Sequence, residues 1–76
     1  MTVFELIARL NAARIFHSIS SIRDDAVLIE ASVPGERWEI ELFADGHIEV
    51  ERYRSDGHIA DETVLAALFA RASEDQ

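Results

Sequence analysis

Arg37 to Gly57 reads R-W-E-I-E-L-F-A-D-G-H-I-E-V-E-R-Y-R-S-D-G. Apolar and polar residues alternate with a period of two, break at Asp45-Gly46, and alternate again. That is the pattern of a β-hairpin. Trp38, Ile40 and Leu42 share one face of the first strand with Ile48 and Val50 of the second. Glu39, Glu41 and Phe43 share the other with His47, Glu49, Glu51 and Tyr53. Directly opposed residues of an antiparallel pair lie on the same face. A two-residue Asp-Gly loop would set Leu42 against Glu49 and mix the faces. A three-residue loop, Ala44-Asp45-Gly46, sets Leu42 against Ile48 and Ile40 against Val50, with Gly46 at the left-handed position of a G1 bulge. In that register Glu41 lies opposite Glu49, Glu39 opposite Glu51, and Trp38 beside Arg52, a cation–π pair at the sheet end.

Upstream of the hairpin, Ala26 to Val33 reads as a strand, punctuated by Pro34-Gly35. A four-residue loop over Pro34 to Arg37 pairs Val33 with Trp38, Ala31 with Ile40 and Ile29 with Leu42. The opposite face then carries Leu28 beside Phe43, Glu30 beside Glu41, and Ser32 beside Glu39. Ile15 to Ile22 (I-F-H-S-I-S-S-I) is a further strand, followed by a turn at Arg23-Asp24-Asp25. Its periodicity leaves two facings open: Phe16 and Ile22 inward with Ser18 and Ser20, or Ile15, His17 and Ile19 inward. Downstream, His47 to Arg54 forms the second hairpin strand, Ser55-Asp56-Gly57 a turn, and His58-Ile59 a brief extension of the sheet.

Helical patterns flank these strands. Thr2 to Ala13 opens with Thr2 and Glu5 spaced as a capping box, and Val3, Leu6, Ile7 and Leu10 make one apolar stripe. Asp61 suits an N-cap for a helix from Glu62 to Ala72, with Val64, Leu65, Leu68, Phe69 and Ala72 on one face and a frayed end over Ser73 to Gln76. The expectation is a single α+β domain over residues 1–76. It has two layers: an N-terminal helix, a three- or four-stranded antiparallel meander and a C-terminal helix. Both helices pack on the Trp38/Ile40/Leu42 face.

The composition narrows the function. A hydrophobic fraction of 49% argues for a folded core, and the absence of cysteine removes disulfides and thiolate metal sites. The net charge is -8, and all seven basic residues are arginine. Such a balance repels nucleic acid and suits either a basic protein partner or plain solubility. Neither a signal peptide nor a membrane-spanning run is evident, so a cytoplasmic location is expected.

The predicted registers gather Glu30, Glu41 and Glu49 in one row and Glu39 and Glu51 in another, with Leu28, Phe43 and Tyr53 among them and Arg37 at the loop edge. Like charges opposite one another destabilise a sheet, at roughly 1 kcal/mol or less per pair in water. One reading is a solvated face that resists stacking. The other is a docking surface for a basic protein, with aromatic anchors ringed by carboxylates. On that second reading the partner-binding residues are Glu30, Glu39, Glu41, Phe43, Glu49, Glu51 and Tyr53. The stretch W-E-I-E-L-F-A-D-G-H-I-E-V-E-R-Y-R-S-D-G-H-I, about a third of the chain, resembles a pattern in small acidic, uncharacterised bacterial proteins. In its acidic α+β form the chain is similar in kind to immunity proteins of polymorphic toxin systems. That resemblance implies binding and blocking of a cognate basic toxin, and it carries no catalytic signature.

Other chemistry is less well served. His47, Glu41 and Glu49 could converge on a metal, but a turn-flanking histidine beside solvated acids explains them as well. His58 reads as a surface residue and His17 as partly buried. There is no cysteine nucleophile and no Gly-rich phosphate loop, and Ser18, Ser20 and Ser21 near His17 fit no nucleophile elbow. The paired glutamates sit on a flat sheet, not in a cleft. We therefore expect a non-catalytic binding module without cofactor or metal, with a small structural or regulatory homodimer as the alternative.

Overall fold

The computed structural model describes residues 1–53 and 59–74. Helix α1 (Val3–Ala12) is followed by strands β1 (Phe16–Arg23), β2 (Ala26–Val33), β3 (Glu36–Phe43) and β4 (Ile48–Arg52). A two-residue strand β5 (Ile59–Ala60), a 3-10 turn (Glu62–Val64) and helix α2 (Leu65–Glu74) complete the chain. The strands form one antiparallel meander in the order β1-β2-β3-β4-β5. The α+β architecture expected from the sequence is therefore present, with β5 as a short fifth member at the edge. The expected turn at Ser55-Asp56-Gly57, the extension at His58, Arg54 and the final residues Asp75 and Gln76 lie outside the described residues.

Local chemistry explains the helix ends. The Thr2 hydroxyl accepts a hydrogen bond from the Glu5 amide at 3.1 Å, satisfying one of the amides a helix start leaves open. At the other end of α1 the Ile15 amide donates to the Leu10 carbonyl at 2.9 Å and the Arg14 amide to that of Asn11 at 3.1 Å. This is a Schellman closure with buried Ile15 against buried Leu10, and Arg14 takes its left-handed position at φ 58°. The Asp61 carboxylate accepts from the Thr63 amide and hydroxyl at 3.0 and 2.6 Å. The helix after it begins as a 3-10 turn and becomes α-helical at Leu65. Ser73, expected to be frayed, is still helical.

Both helices pack on one side of the sheet. Leu6 and Leu10 of α1 and Leu65, Leu68 and Ala72 of α2 join Ile29, Ala31, Trp38, Ile40 and Val50 in one buried cluster. The guanidinium of Arg9 lies 4.2 Å over the ring of Phe69, bridging the helices, and Arg71 donates to the Pro34 carbonyl at 2.9 Å, tying α2 to the β2–β3 turn.

The β3–β4 register is the expected one: Leu42 opposite Ile48, Ile40 opposite Val50, Glu41 opposite Glu49, Glu39 opposite Glu51 and Trp38 opposite Arg52. The turn closes with Gly46 donating to the Phe43 carbonyl at 2.9 Å and Gly46 at φ 94°, the geometry of a G1 bulge. The Arg52 guanidinium sits 5.2 Å from the Trp38 ring.

The β2–β3 register differs from expectation by two residues. Ala31 pairs with Trp38, Ile29 with Ile40, Val27 with Leu42, and Val33 with Glu36. The loop is thus Pro34-Gly35 alone. Gly35 at φ 79° takes the third position of a type II turn, with Pro34 before it. A shift of two keeps every side chain on its expected face.

Strand β1 resolves the alternative left open. His17 and Ile19 lie opposite Ala31 and Ile29 on the helix side; Phe16, Ser18 and Ser20 lie opposite Ser32, Glu30 and Leu28 on the uncovered side. His17 is half-buried, and its Nδ1 is 2.9 Å from the Ile15 carbonyl.

Candidate functional site: the uncovered sheet face

The face away from the helices carries all seven sequence-predicted residues: Glu30, Glu39, Glu41, Phe43, Glu49, Glu51 and Tyr53. Their rows are not the predicted ones. With the two-residue loop, Glu30 lies opposite Glu39, and Glu39 opposite Glu51, making one continuous acidic row across β2, β3 and β4. Glu41 falls instead between Leu28 and Glu49. Leu28 is thus beside Glu41 rather than Phe43, and Ser32 beside Arg37 rather than Glu39.

Tyr53 organises the acidic row. Its amide donates to the Arg37 carbonyl at 2.8 Å, carrying the chain one residue past β4. Its hydroxyl lies 3.0 Å from an oxygen of Glu39 and 3.0 Å from one of Glu51. One phenolic proton serves two carboxylates, since a tyrosine hydroxyl has a single hydrogen to donate. Donation to Glu51, then Glu39, followed by partial desolvation and their negative charge, pushes the Tyr53 pKa up to about 12. The Arg37 guanidinium stacks 4.4 Å over the same ring and comes within 3.9 Å of Glu39.

Arginine also reaches the second row, from a place the sequence did not disclose. The Arg23 Nε lies 2.9 Å from Glu41 Oε2, an ion pair whose angles fall short of a hydrogen bond. Strict alternation from Ser20 would send Arg23 to the helix side. The strand pairing slips between Ser20 and Arg23, and Arg23 lands opposite Ala26 on the uncovered face. From there its guanidinium sits 5.6 Å from the Phe43 ring, whose other neighbour is the stacked imidazole of His47 at 4.4 Å. His47 Nε2 is 3.1 Å from Glu49 Oε2.

The hollow bounded by Leu28, Glu39, Glu41, Glu49 and Glu51 measures about 60 Å³. Small-molecule sites run to roughly 300–1,000 Å³. A larger hollow of about 400 Å³ lies at the turn end of the sheet, where Met1, Val27, Leu42 and Ile48 meet Arg23, Asp24 and Asp25. Among the described residues no three histidine, aspartate or glutamate side chains converge as metal ligands, and no helix is long and apolar enough to cross a membrane.

Sequence reasoning missed Glu36, placed in a loop but in fact buried on the helix side, where it accepts a hydrogen bond from Trp38 Nε1 at 3.0 Å. A buried indole N–H needs an acceptor, and that need was the available signal.

These features define an acidic two-layer α+β domain with one sheet face that neither α1 nor α2 covers. No family model, curated protein or solved structure matches the chain.

Proposed function

We propose that this chain is a non-catalytic, cytoplasmic protein-binding module that engages a basic protein through its uncovered sheet face. The carrying observation is the row Glu30–Glu39–Glu51 beside Glu41 and Glu49 on a face that neither helix covers. Among the described residues, no arginine comes within ion-pair distance of Glu30, Glu49 or Glu51, so the face keeps a net negative field. That field steers a cationic partner toward the surface, and burial of apolar atoms then holds it there. Tyr53, exposed and rigidly hydrogen-bonded, is the better anchor. Phe43, packed between Arg23 and His47, contributes its remaining edge. The sharpest form of this reading is immunity-type inhibition of a basic toxin.

Affinity capture from the native host at low salt, with wild type and Glu39→Lys/Glu51→Lys compared side by side, tests the reading. The expected result is a stoichiometric basic protein, held by wild type, released by salt and lost with the double variant. A partner that binds the folded double variant equally well at low salt would refute the role of this face.

A further inference from the structure

A different part of the molecule has the properties of an interface with a second copy. Strand β1 stands at the end of the sheet, and among the described residues it pairs with β2 alone. Its outer row of backbone donors and acceptors is therefore a template for another strand. Natural edges are usually guarded by lysine, proline, inward charges or short length. This one is eight residues long, contains neither lysine nor proline, and has a pairing irregularity only toward its Arg23 end. Three large apolar side chains stand exposed along it among exposed serines: Phe16 is 78%, Ile19 49% and Ile22 60% exposed. The neighbouring flank of α1 continues the patch. Arg9 marks the flank of α1 that meets α2, and helical spacing puts the exposed Phe4 and the partly buried Ile7 on the opposite flank.

Charge selects the partner. In a chain of net charge -8, Arg14 to Arg23 contains no carboxylate. This is where two copies can approach with least repulsion. We propose that β1 pairs antiparallel with β1 of a second copy, about a two-fold axis at Ile19. That register places Ile19 against its symmetry mate on the helix side and Ser18 against Ser20 on the other side. Beyond Ser20 the pairing slip of β1 offsets the count by one, so Phe16 comes beside the Ile22–Arg23 step of the other chain and Arg14 toward its Asp24–Asp25 turn, twice over. An isologous contact of this kind is self-complementary and closes after two chains. The two acidic faces then lie in one continuous sheet. Glu30 and its mate are separated by three strand spacings, about 14 Å, which is beyond the screening length at physiological salt.

Sedimentation equilibrium over a range of protein concentrations tests this. Wild type is expected at twice the 8.5 kDa chain mass. Ile19→Lys and, separately, Phe16→Glu are expected at the single-chain mass with an unchanged circular dichroism spectrum. Should one of these fail to fold, the other decides. Arg14→Asp weakens the dimer several-fold, and Arg14→Asp/Asp24→Arg restores it. A wild type that stays at the single-chain mass at millimolar concentration would overturn the proposal, as would a dimer that both folded β1 variants leave intact. The Ile19→Lys result is independent of capture by the acidic face, because Ile19 lies on the helix side and no group of that face is altered.

Discussion

Trp38 donates its indole N–H to Glu36 at 3.0 Å, and both side chains are buried on the helix-covered face. The relationship fixes more than one hydrogen bond. Because Glu36 turns inward with Trp38, β3 begins at Glu36 and the β2–β3 loop shrinks to Pro34-Gly35. Glu36→Ala would leave a fully buried indole donor without this acceptor. The expected loss is about 1–3 kcal/mol, with Glu36→Gln much milder because an amide oxygen can replace the carboxylate. Urea unfolding followed by the fluorescence of the single tryptophan checks both. Equal stability of the Ala variant and wild type would mean that the bond contributes nothing.

That residue also shows where the sequence could be read and where it could not. Alternation from Trp38 to Tyr53 fixed the faces and, with Gly46, the β3–β4 register, because a three-residue turn is the one that unites the apolar sets. The β2–β3 register had no such constraint: loops of two and four residues both keep the faces, since they differ by one full side-chain period. Proline biases the choice wrongly. The favoured two-residue hairpin turns need a positive φ at their first position, which Pro34 does not allow. The structure closes the loop instead with Gly35 at φ 79°. As a consequence all seven candidate residues lie on the face that alternation predicts, while their rows are shifted. Arg23 escaped for a related reason: a pairing slip reverses its facing, and no periodicity announces it.

Arg14 holds the left-handed closing position of α1 at φ 58°, where a Cβ is unfavourable by roughly 1–2 kcal/mol and glycine is the usual occupant. Arg14→Gly is therefore expected to stabilise the fold. Glycine's greater freedom in the unfolded chain takes back part of the gain, leaving about 0.5–1 kcal/mol. The comparison belongs in the Ile19→Lys background, so that any change in self-association does not enter the unfolding midpoint. A lower midpoint would show that Arg14 makes a contact worth more than its backbone strain.

The Tyr53 hydroxyl, shared by Glu39 and Glu51, gives the acidic row a spectroscopic handle, because the chain has one tyrosine. Its folded pKa is raised to about 12 from an ordinary 10.0. A raised pKa means that the neutral phenol is favoured by folding. Its contribution to stability is complete below pH 10 and is lost as pH rises from there through about 12. Phenolate absorbance should therefore appear near pH 12 in the folded protein, and Glu51→Gln or Glu39→Gln should move it downward, Glu51→Gln more. A wild-type midpoint at the ordinary value would mean that the hydroxyl does not bridge the two carboxylates in solution.

The five glutamates are not equivalent, and stability measurements can separate them. Glu41 has Arg23 at 2.9 Å, whereas Glu30, opposite Glu39, has no arginine at ion-pair distance among the described residues. Threonine favours strand geometry and removes the repulsion. Glu30→Thr should accordingly raise stability by about 0.2–1 kcal/mol, an increment that shrinks as salt screens the wild-type row. Glu41→Thr should not share the gain, because it strands Arg23 without its partner. If Glu30→Thr stabilises the fold while weakening capture of the basic partner, the acidic row costs the domain stability in return for binding. If it stabilises the fold and leaves capture unchanged, Glu30 is outside the docking surface, and that surface centres on Glu39, Glu51 and Tyr53.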